Sequence, residues 1–175
     1  ISVHCDVPFQ AVITLPTVSS VYEVPLILEE EGLGDLVAET LDLTVHGQDL
    51  LEWRDLVFAI NRQKDSLSIA VVGKYVDLPD SYISVKEALI HAGLHIDRDI
   101  EVQWVGSELI EEQGPDELLE SVSGIVVPGG FGPRGVEGMI ETVRYARDHK
   151  VPYLGLCLGL QVMVIEIARN QLSMA

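Results

Sequence analysis

Continuous apolar runs alternate with helix-like patterns over the last two thirds of the chain. Residues 67–73 (LSIAVVG) and 123–130 (SGIVVPGG) are apolar runs that end in glycine, which is typical of strands buried on both faces. Residues 82–93 and 136–149 carry apolar side chains at helical spacing. Further strands are predicted at 100–106 and 151–156, and further helices at 115–122 and 158–169. The alternation predicts an α/β fold with a doubly wound parallel sheet over residues 67–175.

The first third of the chain follows a different pattern. Residues 1–5 (ISVHC) and 11–15 (AVITL) are short β-rich runs, which predict two strands joined by a turn. Pro25 suits the first turn of a helix, and Gly32 and Gly34 predict its end. Two more short helices are predicted at 35–41 and 50–61.

Polar segments separate these patterns. Residues 44–49 form one polar link and residues 61–66 (NRQKDS) form another. We place the domain boundary in the second, near Asp65. The predicted organisation is a first domain over 1–60, a linker over 61–66 and a second domain over 67–175.

Composition supports a folded protein and restricts its partners. The chain is 47% hydrophobic and 22% charged, so it can bury a core, and its net charge of −17 offers no basic surface for nucleic acid or for an anionic membrane. No apolar run reaches the roughly 20 residues of a membrane helix, and no basic segment precedes the first apolar run, so we expect a cytoplasmic protein. The chain starts at Ile1 inside a strand-like run, and we therefore expect it to be a piece of a longer protein.

Cys157 carries the strongest chemical signal. The segment 152–161 (PYLGLCLGLQ) takes an apolar strand into G-x-C-x-G and then directly into a helix. Glycines two positions before and after the cysteine permit the sharp turn of a nucleophile elbow, and the amino end of the helix would stabilise a negative sulfur. The alternative is a small buried cysteine at a tight corner. We interpret Cys157 as a nucleophile, with the N–H of Leu158 available to an oxyanion.

A glycine-rich segment follows another predicted strand. Residues 127–138 (VPGGFGPRGVEG) contain Gly129, Gly130 and Gly132, whose backbone can turn N–H groups towards a ligand. The spacing does not match the dinucleotide fingerprint. By itself the segment is equally compatible with a flexible surface turn. Together with an elbow cysteine at the same sheet edge, it predicts an oxyanion loop.

These motifs resemble the class I, triad-type glutamine amidotransferases. More narrowly, 73–89 (GKYVDLPDSYISVKEAL), 128–139 and 152–161 are similar to the glutaminase domain of the CTP synthase family. Residues 1–33 resemble the end of that family's synthetase (amidoligase) domain, an α/β P-loop-type domain. The resemblance implies a flavodoxin-like glutaminase fold in 67–175, preceded by the C-terminal part of the synthetase domain.

The resemblance also implies site residues. Cys157 would be the catalytic nucleophile, and Gly130 and Leu158 would supply the oxyanion N–H groups. Pro16, Thr17 and Val18 match the segment that borders ATP, and Phe131 falls where an allosteric GTP packs its base. The residues implied to line the glutamine pocket are Gly130, Leu158, Gly159, Leu160 and Gln161.

The implied activity is a ligase reaction of pyrimidine biosynthesis. ATP-activated UTP is aminated to CTP with ammonia from glutamine, with Mg²⁺ as cofactor and GTP as activator, in a cytoplasmic homotetramer. Another class I glutamine amidotransferase, a γ-glutamyl hydrolase and a non-catalytic relative remain alternatives. Residues 1–41 favour the CTP synthase family, because a stand-alone hydrolase would not need them.

The general base of this family is not matched in the chain. Such glutaminases need a histidine oriented by a glutamate beyond the elbow. None of His4, His46, His91, His95 and His149 falls in the matching position. We therefore expect this stretch alone to be inactive, without the phosphate loop and the Mg²⁺ ligands of the synthetase. We predict no metal site, because His91 and His95 lack a third ligand.

Lys74 and Tyr75 end the segment GKY after the first strand of the second domain. Their position at the carboxyl end of a buried strand suits contact with a ligand or with the other domain. The sequence does not distinguish these two roles.

Overall fold

The computed structural model describes residues 1–44, 47 and 49–174, with the side chain of Pro79 left out. His46 and half of the polar link predicted at 44–49 lie outside the described residues. The described chain divides into two compact units, Ile1–Arg62 and the part that starts at Gln63. Among the described residues, no helix is both long and apolar enough to cross a membrane.

The described part of the first unit consists of helices, 3₁₀ turns and irregular segments. Its α-helices are α1 (Ser2–Cys5), α2 (Val24–Glu30), α3 (Leu33–Thr40) and α4 (Leu51–Asn61), with 3₁₀ turns at Phe9–Ala11 and Val21–Glu23. The strands predicted at 1–5 and 11–15 are wrong. A strand needs a neighbour for its hydrogen bonds, and the described part of this unit provides none. The first run instead bonds locally, with the N–H of His4 and of Cys5 both donating to the Ile1 carbonyl at 2.9 Å.

Gly32 and Gly34 behave differently from each other. Gly32 has φ 80° and ends α2, as predicted, because a side chain is strained in this left-handed conformation. Gly34 lies inside α3, so its predicted role as a stop is wrong. One glycine in the left-handed region is sufficient to separate the two helices.

The second unit contains a parallel sheet of four strands. Strands and helices alternate from β1 to α9, and the strand order is β2-β1-β3-β4 with every neighbouring pair parallel. The α/β fold with a doubly wound parallel sheet is therefore confirmed. The elements are β1 (Ser66–Gly73), a 3₁₀ turn (Pro79–Tyr82), α5 (Ile83–His95), β2 (Asp99–Gly106), α6 (Ser107–Gln113), α7 (Asp116–Leu119), β3 (Gly124–Val127), α8 (Val136–His149), β4 (Tyr153–Gly155) and α9 (Leu158–Asn170).

Each face of the sheet carries its own apolar core. On β1, Ala70 and Val72 pack with the buried faces of α8 and α9, whereas Val71 packs with Tyr82 on the opposite face. Successive side chains of a strand point to opposite faces, so a continuous apolar run fills both cores. The carboxyl ends of β1, β3 and β4 thereby become one edge, from which the loops to the following helices start.

Candidate active site

Cys157 occupies a strained turn between β4 and α9. Its φ of 53° and ψ of −104° lie far from helix and strand values, and it is the N-cap of α9. Non-glycine residues adopt such conformations at a cost and cluster at functional sites. The strained backbone predicted for Cys157 is confirmed.

The two glycines of G-x-C-x-G permit the crossing of strand and helix. A Cβ on Gly155 would overlap the backbone of Gly159, and a Cβ on Gly159 would overlap the carbonyl oxygen of Val127 on β3. Backbone atoms cannot move aside as flexible side-chain ends do. The motif therefore reflects close backbone packing around the cysteine.

The thiol of Cys157 lies beside the glycine-rich loop. A Cβ added to Gly129 would lie 3.5 Å from Cβ and 3.9 Å from Sγ of Cys157. The cysteine is exposed and forms no disulfide. The predicted proximity of the elbow and the loop after β3 is confirmed, while the role of Cys157 as nucleophile stays a prediction.

Two backbone amides near the thiol have no partner among the described residues. Leu158 is the first residue of α9, where an N–H cannot bond within the helix, and the N–H of Gly130 follows Gly129 in the loop. Unpaired amides beside a nucleophile are the groups that an oxyanion requires. The geometry is compatible with the oxyanion role predicted for both residues.

The remaining predicted pocket residues form the first turn of α9. Gly159 is buried, and its carbonyl accepts a hydrogen bond from the Tyr153 hydroxyl at 2.8 Å. Burial raises the pKa of Tyr153, so the hydroxyl remains a donor well above neutral pH. Leu160 and Gln161 are exposed, and their N–H groups both donate to the Cys157 carbonyl. These side chains are thus at the surface beside the elbow.

Lys74 and Tyr75, which follow β1, form hydrogen bonds with the backbone of the glycine-rich loop. Lys74 is buried and donates through Nζ to the carbonyls of Phe131 and Gly132. The Phe131 N–H donates to the Tyr75 hydroxyl at 3.1 Å, while the Phe131 ring is 89% exposed. For Lys74, the described side-chain contacts are therefore with the glycine-rich loop of its own unit.

The sequence reasoning missed Tyr82 and Arg134. The Tyr82 hydroxyl accepts from the N–H groups of Lys74 and Tyr75, at 3.2 and 3.3 Å, and donates to the Gly129 carbonyl at 3.5 Å. Burial raises the pKa of Tyr82, which preserves the neutral hydroxyl that these bonds need. Arg134 donates through Nη2 to the Lys74 carbonyl at 3.0 Å and pairs with Glu108. Only their nearness to the GKY and PGGFG motifs could have identified them.

Other candidates lie elsewhere. Pro16, Thr17 and Val18 belong to an irregular segment of the first unit. In the second unit, the described histidines lie in the last turns or the C-terminal half of α5 and α8, which run from the carboxyl edge of the sheet to its amino edge. None is therefore placed at the edge that carries Cys157. These histidines are His91, His95 and His149.

Comparisons with known proteins agree with this fold and site. The family model described as glutamine amidotransferase class-I matches residues 77–175. The CTP synthase of Dehalococcoides mccartyi strain BAV1 is 57% identical over 173 residues, 99% of this chain and 32% of that protein. The CTP synthase of Roseiflexus castenholzii is 56% identical over 170 residues, 97% of this chain and 31% of that protein. The chain thus spans about a third of the length of these curated relatives.

A solved structure shows the same likeness. The Trypanosoma brucei CTPS glutaminase domain with bound acivicin is 39% identical, with a TM-score of 0.55, and the match covers 60% of this chain and 41% of that one. The match to the family model covers more than half of this chain. The thiol at a strand-to-helix elbow, the glycine loop beside it and these matches together show that the chain belongs to the class I glutamine amidotransferase family.

Proposed function

We propose that this chain is the part of a CTP synthase that takes ammonia from glutamine. The observation that carries the proposal is an exposed thiol on a strained turn beside the free amides of Gly130 and Leu158. The relatives named CTP synthase match 99% of the chain, including the first unit, which a stand-alone hydrolase does not need. This match favours CTP synthase over another amidotransferase or a γ-glutamyl hydrolase.

In the proposed reaction, Sγ of Cys157 attacks the side-chain amide carbon of glutamine. The C–S bond forms while the carbonyl π electrons move to oxygen, and the N–H groups of Gly130 and Leu158 stabilise that oxyanion. Collapse of the intermediate breaks the C–N bond, and a proton must reach the departing nitrogen so that it leaves as ammonia. Water then hydrolyses the thioester to glutamate and restores the thiol.

Proton transfer requires a base that the described histidines of the second unit do not supply. His91, His95 and His149 belong to helices that end at the amino edge of the sheet, away from Cys157. The proposal therefore assigns no general base within these residues. It predicts covalent reaction at Cys157 without sustained glutamine turnover by this stretch alone.

Glutamine binding is assigned to the first turn of α9 and to the loop. Gly130 and Leu158 present backbone N–H groups beside the thiol, buried Gly159 permits the close packing of the elbow, and Leu160 and Gln161 offer exposed side chains next to it. The carboxyl edge of a parallel sheet is the usual place for such a site. This position supports the assignment of all five residues.

The ammonia is proposed to aminate UTP at position 4 after activation by ATP. Pro16, Thr17 and Val18 are assigned to the border of the ATP site, since they form an irregular segment whose backbone is not committed to helix or sheet hydrogen bonds. Residues 1–60 are proposed to be the end of the synthetase domain, and 61–66 the linker to the glutaminase domain. Cytoplasmic location and a homotetramer complete the proposal.

Phe131 is proposed to stack on the base of an activating GTP. Its ring is exposed at the tip of the glycine loop, where a planar base could cover it. Mg²⁺ is different, because no three His, Cys, Asp or Glu side chains in the described ranges are arranged to hold a metal ion. The residues described here do not fit that ion, and no step of the proposal uses it.

Labelling with acivicin tests the role of Cys157. We expect wild type to be modified at Cys157, with protection by glutamine, and Cys157→Ala to remain unmodified. Cys5, the other exposed thiol, is the internal control. Equal modification of both cysteines, without protection by glutamine, would contradict a glutamine site. Peptide mass spectrometry reads out each cysteine separately.

The whole reaction is tested in the protein that carries this chain at the length of its relatives. Cys157→Ala should abolish CTP formation with glutamine and preserve it with ammonium chloride, since free ammonia bypasses the glutaminase. CTP formation is followed with UTP and ATP present. Loss of both activities in a folded variant, or failure of wild type to make CTP, would reject the proposal.

A further inference from the structure

Lys74 is an unusual lysine because its charge is buried without a carboxylate. The residue is 5% exposed, and Nζ donates to the Phe131 carbonyl at 3.3 Å and to the Gly132 carbonyl. In the part of the chain that the structure describes, no acidic side chain forms an ion pair with it. Burial of an ammonium group is costly unless its protons are bonded, so these carbonyls are its main compensation.

The Lys74 stem also limits the position of Gly130. A Cβ on Gly130 would lie 3.0 Å from Cδ of Lys74, so the aliphatic chain packs directly under the loop. The Lys74 backbone is held on both sides, by the Tyr82 hydroxyl at its N–H and by Arg134 at its carbonyl. Lys74 is thus held in place and packs against the loop, which is flexible by itself because it is rich in glycine.

These contacts set the orientation of successive peptide groups. The carbonyl and N–H of one trans peptide point in opposite directions. The Gly129 carbonyl is directed to the Tyr82 hydroxyl, so the Gly130 N–H in the same peptide points the other way. Tyr75 fixes the next peptide through the Phe131 N–H, and Lys74 fixes the two after it through their carbonyls.

We propose that Lys74 is a positioning residue of the glutaminase site, which holds the loop so that the Gly130 N–H stays directed to the oxyanion formed at Cys157. The inference rests on the proposed function. Lys74 acts through Gly130, and the substrate has no need to touch it. Without the ammonium group, the carbonyls of Phe131 and Gly132 lose their donor, and the Gly130 peptide is held less firmly because the loop that follows it is no longer fixed.

Two reagents separate this role from a general effect on the thiol. 4-Nitrophenyl acetate is attacked at its carbonyl, whose oxygen becomes an oxyanion before 4-nitrophenolate leaves and an acetyl thioester forms. Iodoacetamide instead alkylates the sulfur: Sγ attacks its CH₂ carbon, iodide leaves, and no oxyanion forms. The ratio of the acylation rate constant to the alkylation rate constant therefore measures oxyanion stabilisation. Both are measured in a Cys5→Ser background, so that Cys157 is the only thiol.

We expect Lys74→Met to lower this ratio by about 100-fold, the effect of removing one oxyanion donor, with alkylation nearly unchanged. Lys86→Met, at an exposed position of α5, is the matched control and should leave the ratio unchanged. Circular dichroism establishes whether each variant is folded. An unchanged ratio in folded Lys74→Met would overturn the inference and leave the proposed function intact.

A second variant decides the case in which Lys74→Met does not fold. Tyr75→Phe removes only the hydroxyl that accepts the Phe131 N–H, and it should lower the ratio in the same direction, whereas an unchanged ratio would overturn the inference. Failure of the proposed function gives a different result. In that case, the ratio of acylation to alkylation for wild-type Cys157 would be no higher than the ratio for a small free thiol. That result would reject the nucleophile and the role of Lys74 together.

Discussion

Arg147 on α8 donates through Nη2 to Oε1 of Glu166 on α9 at 2.8 Å, and the carboxylate of Glu166 is completely buried. Asn170 donates to the same oxygen at 3.1 Å. The hydrogen bond that Arg147 donates to Glu166 raises the pKa of Arg147, so the guanidinium keeps its charge. The two helices on this face of the sheet are thus joined by a pair whose carboxylate is buried, in addition to the exposed pair between Arg169 and Glu137.

Removal of Arg147 should destabilise the second unit because it leaves the Glu166 carboxylate buried with one weak donor. We expect Arg147→Met to lower the thermal unfolding midpoint clearly. Arg144→Met, which removes an exposed pair with Glu141 on the same helix, should have little effect. The double variant Arg147→Met/Glu166→Met should recover stability relative to Arg147→Met. A double variant that is no more stable than the single one would contradict the expected cost of the unpaired carboxylate.

Gly159→Ala should destabilise the elbow through a backbone clash. The added Cβ would overlap the Val127 carbonyl, which is fixed within the sheet, so we expect the free energy of unfolding to fall by about 3 kcal/mol. Gly106→Ala is the control, since its Cβ would make an ordinary contact of 3.6 Å with Val76. Urea denaturation followed by circular dichroism measures both. Equal stabilities of the two variants would show that β3 and α9 can separate without cost.

Limited trypsin digestion tests the proposed linker at 61–66. Arg62 is exposed, whereas the Lys64 side chain is 2% exposed and donates to Asp99 at 3.1 Å. We expect the first cut after Arg62, because trypsin needs an exposed basic side chain and accessible backbone. Asp99→Ala should add a cut after Lys64, because it removes the ion pair that covers this side chain.

Mass spectrometry of the early fragments identifies the cut sites. A first cut within α5 or α8 would show that the linker is elsewhere. An unchanged rate at Lys64 in Asp99→Ala would show that the ion pair does not protect it. The hydrogen bond from Lys64 also lowers the pKa of Asp99, so protection should be lost only in acid, as the carboxylate becomes protonated.

Only those site residues that directly follow a predicted strand could be identified from the sequence. Cys157 and Gly130 belong to short motifs whose glycines have a local reason, a sharp turn or a close backbone approach. Tyr82 and Arg134 have no such local signal, because their partners are the backbone of Lys74 and of Gly129, remote in sequence. Lys74 stood out by its position, but the nature of its partner was not predictable.

The sequence by itself determined the strands of the second unit, four of its five α-helices and the elbow at Cys157, whereas α6 was not predicted. Those features depend on local periodicity and on glycines within a few residues, and both can be recognised directly in the sequence. Only the tertiary structure decided the strand order β2-β1-β3-β4 and the contact of Lys74 with the loop. The physical reason is that a backbone group or a buried charge takes the partner that folding brings near, and that partner is distant along the chain.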